Sequence, residues 1–425
     1  MKDNVKIKTY ESGARVITET DKKSPYLAFA VYVLAGSTNE EIGEYGVAHF
    51  LEHMMFKSSK NYKTEEISEK LESLGARINA WTSRTTTCYH FRCLNECFEK
   101  CAEIYGDMLQ NPLFLQEEFD KEKNVILQEI AAGEDDAEHL IYLKTINAFN
   151  SHFCHNPHNV AATVDDVKIL TTENLRNFMN KYYVGKNVIF SVVGNIEASE
   201  AEKIIEKHFA TFLNKTAEED EEERDKDINP ESNIVNIEKD TKQAKLYILT
   251  KTIDMYNEGR FALKVFNRIF GGGMSSRLSV KVREENGLAY SIYSFYTLQR
   301  SEGCFGIYAG VAPENLEKAL SEIKAVLKNV AENGVSDEEL EKAKMQILSS
   351  YAFSLENKAL IAEDNADQLK NRGFIVSDQE ILDKYKAVTK QQVQNIAKQI
   401  FEESIKVIGV AGHNIDSKIL ENYVN

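Results

Sequence analysis

Residues 170–196, from Leu170-Thr171 to Val193-Gly194-Asn195-Ile196, resemble residues 388–412, from Val388-Thr389 to Ala411-Gly412. Thr171 matches Thr389, Leu175 matches Val393 and Gly194 matches Gly412, all at one offset of 218. Self-similarity at a fixed spacing decides an architecture early, because each copy is expected to fold as the same unit. Upstream, Glu118-Phe119-Asp120-Lys121-Glu122-Lys123 aligns on Glu339-Leu340-Glu341-Lys342-Ala343-Lys344 at offset 221, and Gly75-Ala76-Arg77-Ile78 aligns on Gly287-Leu288-Ala289-Tyr290 at offset 212. A few short insertions account for the drift, and the chain reads as a degenerate tandem repeat.

Between the copies, the run from Ala217 to Pro230 is a charge block that cannot bury apolar surface and reads as a solvated linker. The expected boundaries are an N-terminal domain over 1–214, an acidic linker over 215–233 and a C-terminal domain over 234–425. At 425 residues and 43% hydrophobic content, each copy is long enough for a core of its own. The runs Tyr26–Leu34, Val188–Val193 and Lys245–Leu249 read as strands, alternating with long amphipathic helices. The predicted class is α+β: two homologous domains, each an antiparallel-rich sheet packed against helices.

The first copy contains His49-Phe50-Leu51-Glu52-His53, an H-x-x-E-H pattern inside a stretch of helical periodicity. Side chains three and four apart share a helix face, so His49 and His53 can offer two imidazole nitrogens to one zinc ion. Glu52 sits beside them as a general base for a water that the metal acidifies. A catalytic zinc needs a third protein ligand. Glu122 and Glu129, two helical turns apart on one face, are the candidates, against the plainer reading that both are solvated helix carboxylates. At the repeat offsets Glu122 becomes Ala343, Glu129 becomes Ser350, and His49, Glu52 and His53 become Phe261, Lys264 and Val265. The metal-type residues occur together in one copy and vanish together in the other, which favours a site.

The run Gly46–Lys57, then Asn79-Ala80-Trp81-Thr82-Ser83, Glu122 with Glu129, Gly271–Leu278, Arg283 and Gly287-Leu288-Ala289-Tyr290 resemble the pitrilysin/insulinase zinc metallopeptidases, on the mitochondrial-processing-peptidase-like branch. The resemblance runs from about Thr9 to about Ile415. It implies His49, His53 and Glu129 as zinc ligands, one zinc per chain, Glu52 as base and Glu122 as a carboxylate supporting the ligands. It also implies Asn79 and Ala80 on a strand to which an extended peptide adds. Arg283 and Tyr290 match a pair that reaches the substrate and stabilises an oxyanion; the plainer reading of Tyr290 is a core aromatic on a strand. Gly271-Gly272-Gly273 is short beside the family's glycine-rich loop and reads equally as a helix cap and turn. The stretch Cys154–Thr163 departs from the family, which usually has a glycine near Ala162.

A net charge of −16 argues against nucleic acid as partner and suits cationic peptides. The N-terminus lacks the apolar core of a signal peptide and no run approaches the ~18 apolar residues of a membrane span, so a cytoplasmic protein is expected. Six cysteines fit a reducing compartment. Cys93, Cys97 and Cys101, spaced by four, read as small buried residues of one helix. Two function classes follow from the resemblance: a zinc endopeptidase cutting short unstructured or presequence-like peptides, and a catalytically silent scaffold subunit of the same fold. A chain of this length supplies one half of the family's clam-shell chamber, which implies a homodimer, or a heterodimer with a related subunit.

Overall fold

Strands of two sheets organise the computed structural model, which describes residues 2–154, 157–216, 230–300 and 302–424. The first sheet takes β1 (Val5–Thr9), β2 (Arg15–Thr20), β3 (Tyr26–Val33), β4 (Arg77–Thr82), β5 (Thr87–Leu94) and β6 (Val188–Gly194) in the order β1-β2-β6-β3-β5-β4. The second takes β7 (Ile234–Glu238), β8 (Ala244–Thr252), β9 (Ala289–Leu298), β10 (Gly303–Val311) and β11 (Lys406–Gly412) in the order β7-β11-β8-β10-β9. β2 runs parallel to β6 and β7 to β11, while the other pairings are antiparallel. Without β1 the two sheets share one connectivity, so the repeat is one of topology as well as sequence. β6 and β11 coincide residue for residue at offset 218. Thr171 and Thr389 each cap a helix by accepting from the backbone N–H three residues on. Gly75 and Gly287 both stand in the left-handed region, with φ of +67° and +61°.

β3 and β6 are buried along almost their whole length, which accounts for their unbroken apolar runs: helices cover both faces. On one face Phe29, Phe91, Phe98, Phe190 and Phe209 form an aromatic core beneath helices that include Val47–Met54 and Phe98–Gln110. On the other face lies the helix Lys358–Arg372, whose Ala366 and Leu369 pack with Ala30, Tyr32 and Ile189. In the second sheet the covering helix is Ala137–Asn150, with Ile141 against Tyr247 and Tyr308. There Gly409 admits Thr145 so closely that a Cβ on it would lie 1.8 Å from the Thr145 hydroxyl oxygen.

These two covering helices are equivalents at offset 221, and each belongs to the other repeat. The compact units therefore depart from a single cut within 215–233: residues 132–157 join the second unit and 353–377 the first. An amphipathic helix buries its stripe on whatever apolar surface is uncovered, and sequence order does not say which surface that is. Most of the expected linker, residues 217–229, lies outside the described residues.

One further expectation needs correction. The three cysteines do not share a helix: pairing with β3 carries β5 through Cys93, Cys97 ends a short turn, and only Cys101 is on the helix Phe98–Gln110. Cys93 and Cys101 are buried as expected, and no disulfide joins the described cysteines. The Gly271–Gly273 run is the helix cap and turn expected of it, with Gly271 capping the helix Arg260–Phe270, although none of the three glycines has a positive φ. Glycine is required at 271 instead by close approach of β9, because a Cβ there would sit 2.5 Å from the Ser294 hydroxyl. Among the described residues no helix is long and apolar enough to cross a membrane.

Candidate active site

The H-x-x-E-H segment folds as the helix Val47–Met54. Val47, Ala48, Phe50, Leu51 and Met54 make its buried apolar stripe, leaving His49, Glu52 and His53 together on the remaining side. Its start is held from outside. The fully buried Glu40 carboxylate accepts the Gly46 and Ala48 N–H groups, each at 2.9 Å, and lies 2.6 Å from His158 Nε2. Burial pushes the Glu40 carboxyl up, against the opposing pull of His158 and the two amides. The His158 ring stacks on Tyr45 with centroids 3.9 Å apart. Phe50 stacks on Phe119 of the helix Gln116–Asp135, at 4.4 Å and 10° between planes. That contact sets Glu122 and Glu129, one face of the longer helix, against His53.

The cluster is tight. His53 Nε2 lies 3.3 Å from His49 Nε2 and 3.7 Å from Glu129 Oε2. His53 Nδ1 is 2.8 Å from Glu122 Oε1, and Lys57 Nζ lies 2.5 Å from Glu122 Oε2. Thr82, the last residue of β4, donates its hydroxyl to Glu52 Oε2 at 2.5 Å. Because Nδ1 of His53 faces a carboxylate, it carries the proton, and the lone pair on Nε2 faces His49 and Glu129.

Burial, with His53 nearby, lowers His49 to about 4, so its imidazole is neutral with a free lone pair. Burial alone would lower His53 too, but the bond to Glu122 and the charges of Glu129 and Glu52 lift it above its ordinary value. Burial raises Glu52, against Thr82 and His53. Glu122 is raised by burial but held below the usual carboxylate range by His53 and Lys57.

The donor set fits a divalent zinc. Bonds of about 2.0–2.1 Å to a tetrahedral centre put neighbouring ligand atoms about 3.3–3.4 Å apart. The observed edges are 3.3 and 3.7 Å. Among the described residues, His49, His53 and Glu129 are the group whose ligand atoms all lie within 4.8 Å of one another. One departure stands out: His49 Nδ1 is buried and makes no hydrogen bond to the described atoms, whereas a ligating histidine usually donates that N–H.

The other expected residues fall in two places. Asn79 and Ala80 lie on β4, an edge strand paired only to β5 among the described residues, opposite His90 and Tyr89. Arg283 and Tyr290 belong to the second unit. Tyr290 is 77% exposed on β9, so it is no core aromatic, and Arg283 is half-exposed beside Glu284. At the positions equivalent to the cluster, Phe261, Val265 and Ala343 are buried apolar residues. Lys57, Thr82, Glu40 and His158 were not anticipated. Lys57 and Thr82 lie within quoted motifs, where only their neighbours carry the pattern, and Glu40 and His158 stand 118 apart with no spacing signal.

Comparison with known proteins gives the lineage. The profile described as Insulinase (Peptidase family M16) matches residues 15–154, and that described as Peptidase M16 inactive domain matches 170–347. The cluster residues all fall in the former. The chain is 31% identical over 402 residues to the "Uncharacterized zinc protease YmxG" of Bacillus subtilis, covering 94% of this chain and 96% of that one. It is 32% identical over 421 residues to an "Uncharacterized zinc protease" of Rickettsia bellii, covering 98% and 99%. Its fold matches a protease from Helicobacter pylori at TM-score 0.86 and 22% identity, over 96% of this chain and 99% of that one. It also matches a Pseudomonas fluorescens structure titled as a peptidase M16 inactive domain at 0.87 and 23%, over 97% and 99%. With relatives at this identity along nearly its whole length, the chain belongs to the insulinase family, peptidase family M16, among proteins named as zinc proteases.

Proposed function

We propose that the chain is a zinc-dependent endopeptidase of the processing-peptidase-like branch, acting in the cytoplasm on short unstructured peptides. The observation that carries this reading is the cluster: two imidazole nitrogens 3.3 Å apart, a carboxylate 3.7 Å from one of them, and Glu52 held beside them by the end of an edge strand. His49, His53 and Glu129 would hold one zinc. When bound, the zinc supplies Lewis acidity to the scissile carbonyl and the attacking water. Glu52 takes the proton from that water and delivers it to the leaving amine; a carboxyl raised by burial is suited to both transfers. Glu122, anchored by Lys57, fixes the ring orientation of His53. Peptide main chain pairs with the open edge of β4 at Asn79 and Ala80, which selects for extended substrates over sequence.

Arg283 and Tyr290 of a second copy complete each site, in a two-fold homodimer or a heterodimer with a related subunit. Tyr290's exposure on its strand supports a role outside its own core. The silent-scaffold alternative has no observation of its own here, since the match described as inactive falls on residues 170–347 and the cluster falls on 15–154. The test is digestion of a peptide library by purified, zinc-loaded protein, read by mass spectrometry with and without a chelator. Cleavage abolished by the chelator and restored by zinc is expected. No cleavage by protein with a full complement of zinc would refute the endopeptidase.

A further inference from the structure

Arg77 and Arg92 are register partners on β4 and β5, so their side chains leave the same face of the first sheet side by side. Like charges directly opposite one another destabilise a sheet. No acid compensates this pair: neither arginine has an ion pair or a side-chain hydrogen bond among the described residues, and both are exposed. Continuing across the sheet, the same row runs through Ala28 and Val193 before it reaches an acid, Glu19 on β2. At about 4.8 Å per strand, Glu19 stands about 14 Å from Arg92. It is also engaged already, by Lys2 and Asn365. In a chain of net charge −16, two adjacent uncompensated guanidiniums are an unusual arrangement. They also line a cleft, of about 280 Å³, whose remaining walls include Tyr26, Gly75 and Leu94. That volume suits a small group. Two guanidiniums bordering one cleft from paired positions offer the planar N–H donors that a carboxylate accepts.

We propose that Arg77 and Arg92 form a carboxylate-binding subsite that selects peptides with an acidic group about five residues from the bond that is cut. The proposal rests on the reading of β4 as the strand that pairs with substrate. Arg77 opens β4 and Thr82, bonded to Glu52, closes it. Five steps of about 3.3–3.4 Å separate the two ends by about 17 Å, the length of five residues of an extended peptide laid alongside. The carboxylate is an Asp or Glu side chain, or the peptide's own C-terminus when it falls at that distance. Asn79 and His90, the next register pair along the same face, continue the path between the subsite and the far end of the strand.

The experiment compares wild type with the double variant Arg77→Gln, Arg92→Gln on matched peptides. One series carries Asp or Asn four to six residues to either side of the cleaved bond, and another ends in a free acid or an amide. Wild type should show a KM about tenfold lower for the acid member at one spacing, with kcat within twofold. The double variant should lose that difference and keep the KM of the amide member. Its melting temperature should be unchanged or slightly higher, because a repulsive pair has been removed. A separate arm measures anisotropy of the labelled acid and amide peptides on Glu52→Gln protein, with and without the double substitution. Equal affinity for acid and amide, or an acid preference that survives the double substitution, overturns the subsite whether or not turnover is seen. Peptide binding with the expected preference but no cleavage by zinc-loaded wild type would instead refute the peptidase reading and keep the subsite.

Discussion

Glu40→Gln should cost stability out of proportion to its size, because the carboxylate closes the first turn of the helix Val47–Met54 from a fully buried position. Oε1 accepts from Ala48 N–H, and Oε2 accepts from Gly46 N–H while facing His158. An amide has one acceptor atom. If the glutamine oxygen keeps Gly46 and His158, its NH₂ group is pressed against the Ala48 N–H, donor against donor. Loss of a helix cap costs about 1 kcal/mol, a buried N–H left without an acceptor about 1–3 kcal/mol, and loss of negative charge at the helix start about 0.3–1 kcal/mol. These overlap, and about 3 kcal/mol is the expected total. For a unit of roughly 200 residues, at about 2–4 °C per kcal/mol, the transition should fall by about 6–12 °C in calorimetry. The exposed Glu41, paired to Lys181 at the surface, is the control: Glu41→Gln should stay within about 0.5 kcal/mol. A shift below about 2 °C for Glu40→Gln would refute the capping role. Chelator competition adds a second readout. His49 sits in the turn that Glu40 closes, and zinc should bind about tenfold more weakly to the variant.

Other perturbations separate the roles assigned to the cluster and probe the frame around it. Glu52→Gln should abolish peptide hydrolysis and retain one zinc per chain, whereas Glu129→Gln should lower zinc content as well as activity; metal analysis with a turnover assay tells them apart, and unchanged zinc in Glu129→Gln would move the ligand role to Glu122. Ala162 holds a φ of +58°, a left-handed conformation that glycine adopts without the Cβ clash, so Ala162→Gly should stabilise by about 0.5 kcal/mol, the relieved strain exceeding the added freedom of the unfolded chain. Glu339 is gripped by Arg277 through two bonds of 2.7 and 2.8 Å, which hold its carboxyl down to about 2. A depressed carboxyl contributes stability above its unfolded value of about 4.5 that is lost as pH falls from there towards 2. Wild type should therefore exceed Glu339→Gln by about 1 kcal/mol in urea melts at pH 7, after allowance for solvent screening, and the two should converge near pH 2.5; a gap that persists there removes the ion pair as its cause. Mixed after subunit exchange, Glu52→Gln and Tyr290→Phe proteins should regain about half the wild-type activity per mixed dimer, and no recovery despite proven exchange would end the shared-site arrangement.

What the residues disclose in order, and what they conceal, divides along physical lines. Offsets between the copies are legible because a capping threonine, a left-handed glycine and a buried strand each impose a local requirement; Thr171 with Thr389, Gly75 with Gly287, and β6 with β11 all meet it. His49, Glu52 and His53 are legible for the same reason, since a helix brings residues three and four apart together. The destination of the helices Ala137–Asn150 and Lys358–Arg372 is not local, and an apolar stripe carries no address. Lys57 and Thr82 escape notice because they act through a carboxylate that another residue's motif identifies. The Glu40–His158 contact depends on how a distant loop folds back, which no spacing encodes.

The crossing of those two helices sets a timetable for biosynthesis. Ala30, Tyr32 and Ile189 are made early, yet the residues that cover them, Ala366 and Leu369, come from the last quarter of the chain. Glu19 waits across 346 residues for the amide of Asn365, which donates to it at 2.8 Å. At about 5–20 residues per second the interval is roughly 17–70 s, during which one face of the first sheet is bare. A nascent chain released or cut before residue 358 would present that face as a lasting apolar surface. Expression of residues 1–214 alone is therefore expected to yield aggregate, and addition of a fragment carrying residues 353–377 during refolding is expected to recover soluble protein.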